Sequence, residues 1–362
     1  MVPLVSDPKD DFARIRASLE SADAALLEAL DHRAQAMQEY RALRERDPEG
    51  YYALPRDAEL LARARESVKS FPSASVEPVL REVLSASHHI VAPITVAYLG
   101  PEGAFAHTAA RKRFGAAAEL RVRDTVDEVL EEVERGRASH AVVPLETSSD
   151  GALTATLHGL VKADVRISGE LTVPASYHLM SSTGNAQDVE KIYGAPHAIA
   201  MCEKHLRTQF PRATVLDVPS GEVAAQFAKE DHGAAAVGTE IIAERYDLRV
   251  VRERIEDTSG IETRFAVVGH EHPPRTGRDK TVLALATHDE PGALYRALHP
   301  FAERDINLTR LESRPVRGQA WRYVFFVELD GHVTDRPVLT ALEELRGTTR
   351  FVKILGSYPR PA

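Results

Sequence analysis

The chain has 362 residues, 43% of them apolar, with a formal charge of −9 and a single cysteine, Cys202. One core stops growing at roughly 250–300 residues, so two or three domains are expected. The acidic balance speaks against nucleic acid or an anionic membrane as partner, and one cysteine excludes an intramolecular disulfide. No run of apolar residues reaches membrane-span length, and MVPLVSDPKDD lacks the pattern of a secretory leader, so a cytoplasmic protein is expected.

Asp10 or Asp11 can cap a helix beginning near Phe12. Apolar residues then recur at Phe12, Ile15, Leu19, Ala22, Leu26, Leu30, Ala34 and Met37, in steps of three and four, up to the breaker Asp47-Pro48-Glu49-Gly50. A rod that long cannot bury its stripe alone and needs an antiparallel partner or a second subunit. Two shorter helices are expected over 55–69 and 76–90. Arg33 and Arg44 share a face of the long helix and Arg16 points about 100° away. Three guanidinium forks suit a small dianion, and the same spacing suits a solvated basic face.

At 94–99 an apolar run meets Gly100-Pro101-Glu102-Gly103, and a helical pattern starts at Ala104. Backbone N–H groups at such a helix start can hold an anion. The spacing is neither G-x-G-x-x-G nor a P-loop, and an ordinary strand-to-helix turn accounts for it equally. Strands and helices then alternate to about residue 268, which predicts a mostly parallel sheet with ligands beyond the strand C-termini or between two lobes. Three loops fall at such ends, 100–105, 144–151 and 257–263. The hydroxyls of the second suit carboxylate contacts or a helix cap. His88, His89, His270 and His272 lack convincing metal spacing and read as surface histidines. After a linker at 272–277, a βαββαβ pattern over 280–358 predicts a ferredoxin-like module.

Particular motifs in this order resemble known families. Arg16, Asp23, Arg33, Arg56-Asp57-x-x-Leu60-Leu61 and Leu84-Ser85-Ala86-Ser87 resemble the all-helical chorismate mutase domain, which implies an intertwined homodimer in which the residue matching Arg16 reaches the partner's site. Gly100-Pro101-Glu102-Gly103-x-Phe105-x-His107, Pro144-Leu145-Glu146-x-Ser148-x-x-Gly151, Pro196-x-Ala198 with Cys202, Ser220, and Thr263-Arg264-Phe265 resemble prephenate dehydratase. Asp289-Glu290-Pro291-Gly292-Ala293-Leu294 and Glu312-Ser313-Arg314-Pro315 resemble the ACT domain of phenylalanine-regulated dehydratases.

The resemblance implies a multi-domain fold: a helical domain over 1–92, a two-lobed α/β domain of the periplasmic-binding-protein kind over 94–270, and an ACT domain over 279–358. It implies a prephenate dehydratase yielding phenylpyruvate, CO₂ and water, fused to a chorismate mutase and inhibited by L-phenylalanine. No cofactor or metal is implied, and a homodimer or larger homo-oligomer is expected. Catalytic positions are Thr263, beside the departing hydroxyl, Arg264, near the substrate anion, Thr147, Ser148 and, in the mutase site, Arg44. Arg16, Arg33, Arg56, Asp57, Ser87, His197, Ser220 and Phe265 are substrate-binding positions. Gly292, Ala293, Leu294, Glu312, Ser313, Arg314 and Pro315 are effector positions, in a module that would otherwise serve dimerisation alone.

This copy departs from the family patterns. Arg44 stands for a lysine, Asp57 for a glutamate, Ala53 for an aspartate and Val91 for a glutamine that donates to the ether oxygen. Losing such a donor costs about 10²–10³ in rate, which predicts a weak mutase. In the dehydratase motifs Thr147 replaces an asparagine, Ala195 a histidine, His197 a glutamine and Gly221 a threonine. A binding regulator that has lost catalysis, or an enzyme with changed chemistry on prephenate, are the competing readings.

Overall fold

In the computed structural model, residues 8–46, 57–149, 151–315 and 323–361 are described. They fall into two units, residues 1–94 with 114–119, and 95–113 with 120–362. In the first unit, the 39-residue helix α1 (Pro8–Arg46) packs along α3 (Ser73–Val91), with α2 (Asp57–Ser67) also against α3. The periodic stripe of α1 stays largely uncovered within the chain: Phe12, Ile15, Leu19 and Leu26 are all more than half exposed, as is Leu27 beside it. Met37 alone on that helix is fully buried among the described residues. The breaker at 47–50, Ala53 and Arg56 lie outside the described residues.

The second unit begins with β1 (Thr95–Leu99), α4 (Phe105–Phe114), β2 (Glu119–Arg123), α5 (Val126–Glu134), β3 (His140–Thr147), the short β4 (Gly151–Ala152), α6 (Thr154–Lys162) and β5 (Arg166–Pro174). The chain then builds a second lobe from β6 (His178–Ser181), β7 (Lys191–Gly194), α7 (Pro196–Gln209), β8 (Thr214–Asp217), α8 (Gly221–Glu230), β9 (Ala234–Gly238), α9 (Glu240–Tyr246) and β10 (Arg249–Arg252). It returns as β11 (Glu262–Gly269), inserted between β3 and β5 and antiparallel to both. The sheet is therefore mixed, not mostly parallel. Strand direction depends on this return crossing, which no local pattern encodes. In the second lobe the order is β10-β6-β9-β7-β8, with β7 parallel to β8 and β9 and the other pairs antiparallel.

The terminal module is β12 (Asp279–Ala286), α10 (Ala293–Ala302), β13 (Leu308–Pro315), β14 (Tyr323–Asp330), α11 (Arg336–Thr348) and β15 (Phe351–Pro359). Its order β13-β14-β12-β15 is the ferredoxin-like one, and both helices cover one face, around Leu283, Phe301, Val327 and Leu342. The opposite face shares a core with the first lobe: Val282, Phe326 and Leu355 pack with Val143, Leu157 and Ala266. One backbone bridge, Gly356 to Ile167, joins β15 to β5, so the first lobe and the terminal module share one continuous sheet.

Candidate active site

β1, β3 and β5 run in one direction and β11 in the other. The loops after Leu99, Thr147 and Pro174 and the start of β11 therefore meet at one edge of the sheet, where open α/β sheets hold ligands. There Thr263 pairs across the ladder with Thr147 on one side and Val173 on the other. Thr263 is buried. The adjoining Ser148 closes the strand ends. Its N–H donates to the Glu262 carbonyl at 2.9 Å, and its hydroxyl accepts the Glu262 N–H at 3.0 Å. Thr147 and Ser149 hydroxyls lie 3.3 Å apart. Phe265, two residues on, is fully buried on the same face as Thr263.

The loop at 100–104 turns on Gly103, whose φ of +77° suits glycine; a Cβ there would lie 2.0 Å from Ile242 Cδ1 of the second lobe. The Thr239 hydroxyl donates to the Gly103 carbonyl at 2.6 Å, tying the loop to the opposite lobe. The Gly103 N–H donates to His107 Nδ1 at 3.1 Å, so the ring accepts there and is neutral. Burial, with Arg111 adding repulsion, holds that imidazole at about 4, and Tyr98, stacked on it at 4.9 Å, is pushed by burial up to about 12. Phe105 meets Tyr177 edge-on at 5.2 Å, and Tyr177 lies 6.2 Å from His197. Sequence reasoning passed over Tyr177 and Thr239, which carry no motif and become visible only when the lobes meet.

Arg264 does not share the face of Thr263. Adjacent strand residues point to opposite sides, and the Arg264 guanidinium turns toward the terminal module. It grips Glu328 through both terminal nitrogens, at 2.6 and 3.0 Å, and reaches Glu146 at 2.6 Å and Glu170 at 3.2 Å. Lys280 completes the cluster at 2.8 Å from Glu170 and 3.0 Å from Glu328. Burial alone would lower the Arg264 pKa; the carboxylates, Glu328 foremost, raise it instead. Burial alone would raise Glu328, but the hydrogen bond and charge of Arg264 pull it below the usual carboxylate range. The expected anion contact at Arg264 is thus taken up by the protein's own carboxylates. A polar cavity of about 450 Å³ borders this cluster, lined by Ser148, Thr172, Thr309 and Arg310 among others.

The family model for prephenate dehydratase matches residues 96–273 and that for the ACT domain matches 281–347. A bifunctional chorismate mutase/prephenate dehydratase of Aquifex aeolicus is 36% identical over 97% of this chain and 98% of its own length. The chain belongs to the bifunctional chorismate mutase/prephenate dehydratase family. A prephenate dehydratase of Arthrobacter aurescens in complex with L-Phe is 36% identical at a TM-score of 0.64, covering 74% of this chain and 90% of that one. GqqA, described as a novel type of quorum-quenching acylase, is 27% identical at a TM-score of 0.65, covering 74% of this chain and 98% of that one.

In the mutase part, Arg33 Nε donates to Ser87 Oγ at 2.8 Å, so α1 and α3 bring these two positions together. Arg16 is exposed and pairs with Glu20 on its own helix at 2.9 Å, and Arg44 is exposed near the end of α1. Asp57 opens α2. In the dehydratase part, Ser220 caps α8, accepting the Val223 N–H at 3.3 Å, and exposed His197 sits in the first turn of α7 behind Pro196. Cys202 is buried in the second lobe's core, where burial pushes its thiol up to about 12. In the ACT part, Gly292 caps α10, followed by buried Ala293 and half-buried Leu294. Along β13, Glu312 and Arg314 face inward while Ser313 and Pro315 are exposed.

Proposed function

We propose that the second unit dehydrates and decarboxylates prephenate to phenylpyruvate at the sheet edge carrying Thr263 and Thr147. Aromatisation of the ring drives loss of the carboxylate and hydroxide, so the protein must fix the ring and hydrogen-bond the departing oxygen. Thr263 is too weak an acid to protonate it outright and serves as a positioned donor, with Thr147 and Ser148 beside it. The first-turn N–H groups of α4 and the imidazole of His197 meet the substrate carboxylates in this reading, since Arg264 is engaged elsewhere. One observation carries the assignment. A family relationship across 97% of the chain coincides with two threonines paired across one ladder at the ligand-binding edge.

The helical unit takes chorismate between Arg33, Ser87 and Arg44, with Arg16 serving a second copy packed on the exposed stripe of α1. The ACT module binds L-phenylalanine and lowers dehydratase turnover, and the chain works in the cytoplasm. No helix among the described residues is long and apolar enough to cross a membrane.

The test supplies chorismate and prephenate in separate reactions with the purified chain and follows phenylpyruvate. Prephenate is expected to be converted directly and chorismate much more slowly. Val91→Gln restores an ether-oxygen donor and is expected to raise chorismate turnover about 10²-fold; wild-type turnover at an undiminished rate would remove the reason for that variant. Replacement of family side chains at Ala195 and Gly221 favours the regulator reading, which would prevail if prephenate bound without reaction.

A further inference from the structure

Adjacent residues on two paired strands serve opposite faces: Thr263 and Thr147 one, Arg264 and Glu146 the other. The second face is contacted by β13, whose inward residues alternate as Arg310, Glu312 and Arg314. Arg314 donates to the Ala152 carbonyl at 2.9 Å and pairs with Glu312; Glu312 accepts from Arg310 at 2.8 Å; Arg310 also pairs with Glu146. Glu146 is bound in turn by Arg264. The charged residues of the effector motif are therefore directed at the catalytic strands, and a continuous chain of ion pairs runs from the motif to the neighbours of both threonines. Among the described residues, Arg310 is the link between the two modules that bridges a motif residue and a catalytic-strand residue at once. It lies outside the motif itself.

We propose that Arg310 is the positioning residue through which phenylalanine bound to the terminal module acts on the Thr263 face: displacement of β13 changes the Arg310–Glu146 pairing and with it the placement of Thr147 beside Thr263. This rests on the dehydratase and phenylalanine reading above. A paired guanidinium has discrete partners, here Glu146, Glu312 and, at 3.9 Å, Glu328, so the link can switch between arrangements rather than stretch. The bordering cavity leaves room for that exchange.

The experiment measures three things on full-length wild type, Arg310→Gln and Arg310→Lys: L-phenylalanine binding by calorimetry, prephenate turnover without effector, and turnover across a phenylalanine titration. For Arg310→Gln we expect phenylalanine binding within about twofold of wild type and a basal kcat/KM shifted toward the phenylalanine-inhibited level, since the Arg310–Glu146 pair is gone. The factor by which saturating phenylalanine lowers its turnover should shrink at least about fivefold, the low end of the usual 5–150-fold range for coupled sites, while the midpoint stays at the binding constant. Arg310→Lys keeps a charge that reaches one carboxylate at a time and is expected to fall between the two. An undiminished depth of inhibition in Arg310→Gln overturns the proposal, as does loss of phenylalanine binding, which would make Arg310 part of the effector site. A wild type that turns over prephenate but ignores phenylalanine overturns it together with the regulatory reading. A wild type inert toward prephenate shows instead that the dehydratase reading has failed, and the link then has no reaction to govern.

Discussion

Thr263 and Arg264 are neighbours with opposed surroundings, and the difference is experimentally separable. Thr263→Val keeps the side-chain shape in a buried position and removes the hydroxyl. It is expected to lower kcat for prephenate by about 10²–10³, the cost of one lost donor to a developing oxyanion, with little change in KM; Thr263→Ser is expected to retain most activity. Steady-state kinetics on both variants checks this. His107 gives a second residue-level expectation. The unfolded chain takes up a proton near pH 6.5 that the folded chain takes up only at about 4, so stability falls as pH drops through that window. His107→Asn keeps an acceptor for the Gly103 N–H and has no proton to take up. Melting temperatures between pH 7 and 4 are expected to fall less steeply for the variant than for wild type. Neither the buried state of His107 nor the pairing of Arg264 was legible in the sequence. The motif shows residue types in order, whereas the face each presents depends on what packs above the strand.

At the scale of elements, the long helix announces itself because steps of three and four persist from Phe12 to Met37. The βαββαβ module is equally plain from its alternating patterns. The four-residue β7 escaped notice because Lys191-Ile192-Tyr193-Gly194 is too short to show a period. The polar positions Ser168, Glu170 and Thr172 alternate along β5, and Glu170 is covered by Lys280, Arg264 and Tyr358 from distant sequence. Glu328, a lone carboxylate within Val324–Leu329, was the available signal: a charge inside an apolar strand needs a buried partner. The joint between sheets is similarly hidden in one glycine. A Cβ on Gly356 would lie 2.3 Å from the Ile167 carbonyl oxygen and 2.7 Å from its Cβ, so β15 reaches β5 only without a side chain there. Gly356→Ala is expected to cost about 1–3 kcal/mol as the strands part. Gly347→Ala, with nothing within 4 Å of the added methyl, is expected to be neutral or stabilising by about 0.5–1 kcal/mol. Urea midpoints of the two variants provide the comparison.

For the whole molecule, the two-lobed domain and the terminal module form one continuous sheet with a shared core, so the terminal module is built into the enzyme's first lobe. A sensor so attached can bias the strands that carry Thr147 and Thr263 through packing and ion pairs alone. The order of the three parts was legible from their motifs, while their fusion through Gly356 and Arg264 was not, because it joins residues distant in sequence: Gly356 to Ile167, and Arg264 to Glu328 64 positions on. The central claim is a prephenate dehydratase whose rate is set by phenylalanine. Its most direct test is the initial rate of phenylpyruvate formation from prephenate by the intact chain, titrated with L-phenylalanine at subsaturating substrate. The account predicts a measurable rate that falls along a saturable curve. A rate of zero throughout, or a rate that stays flat across the titration, would contradict it.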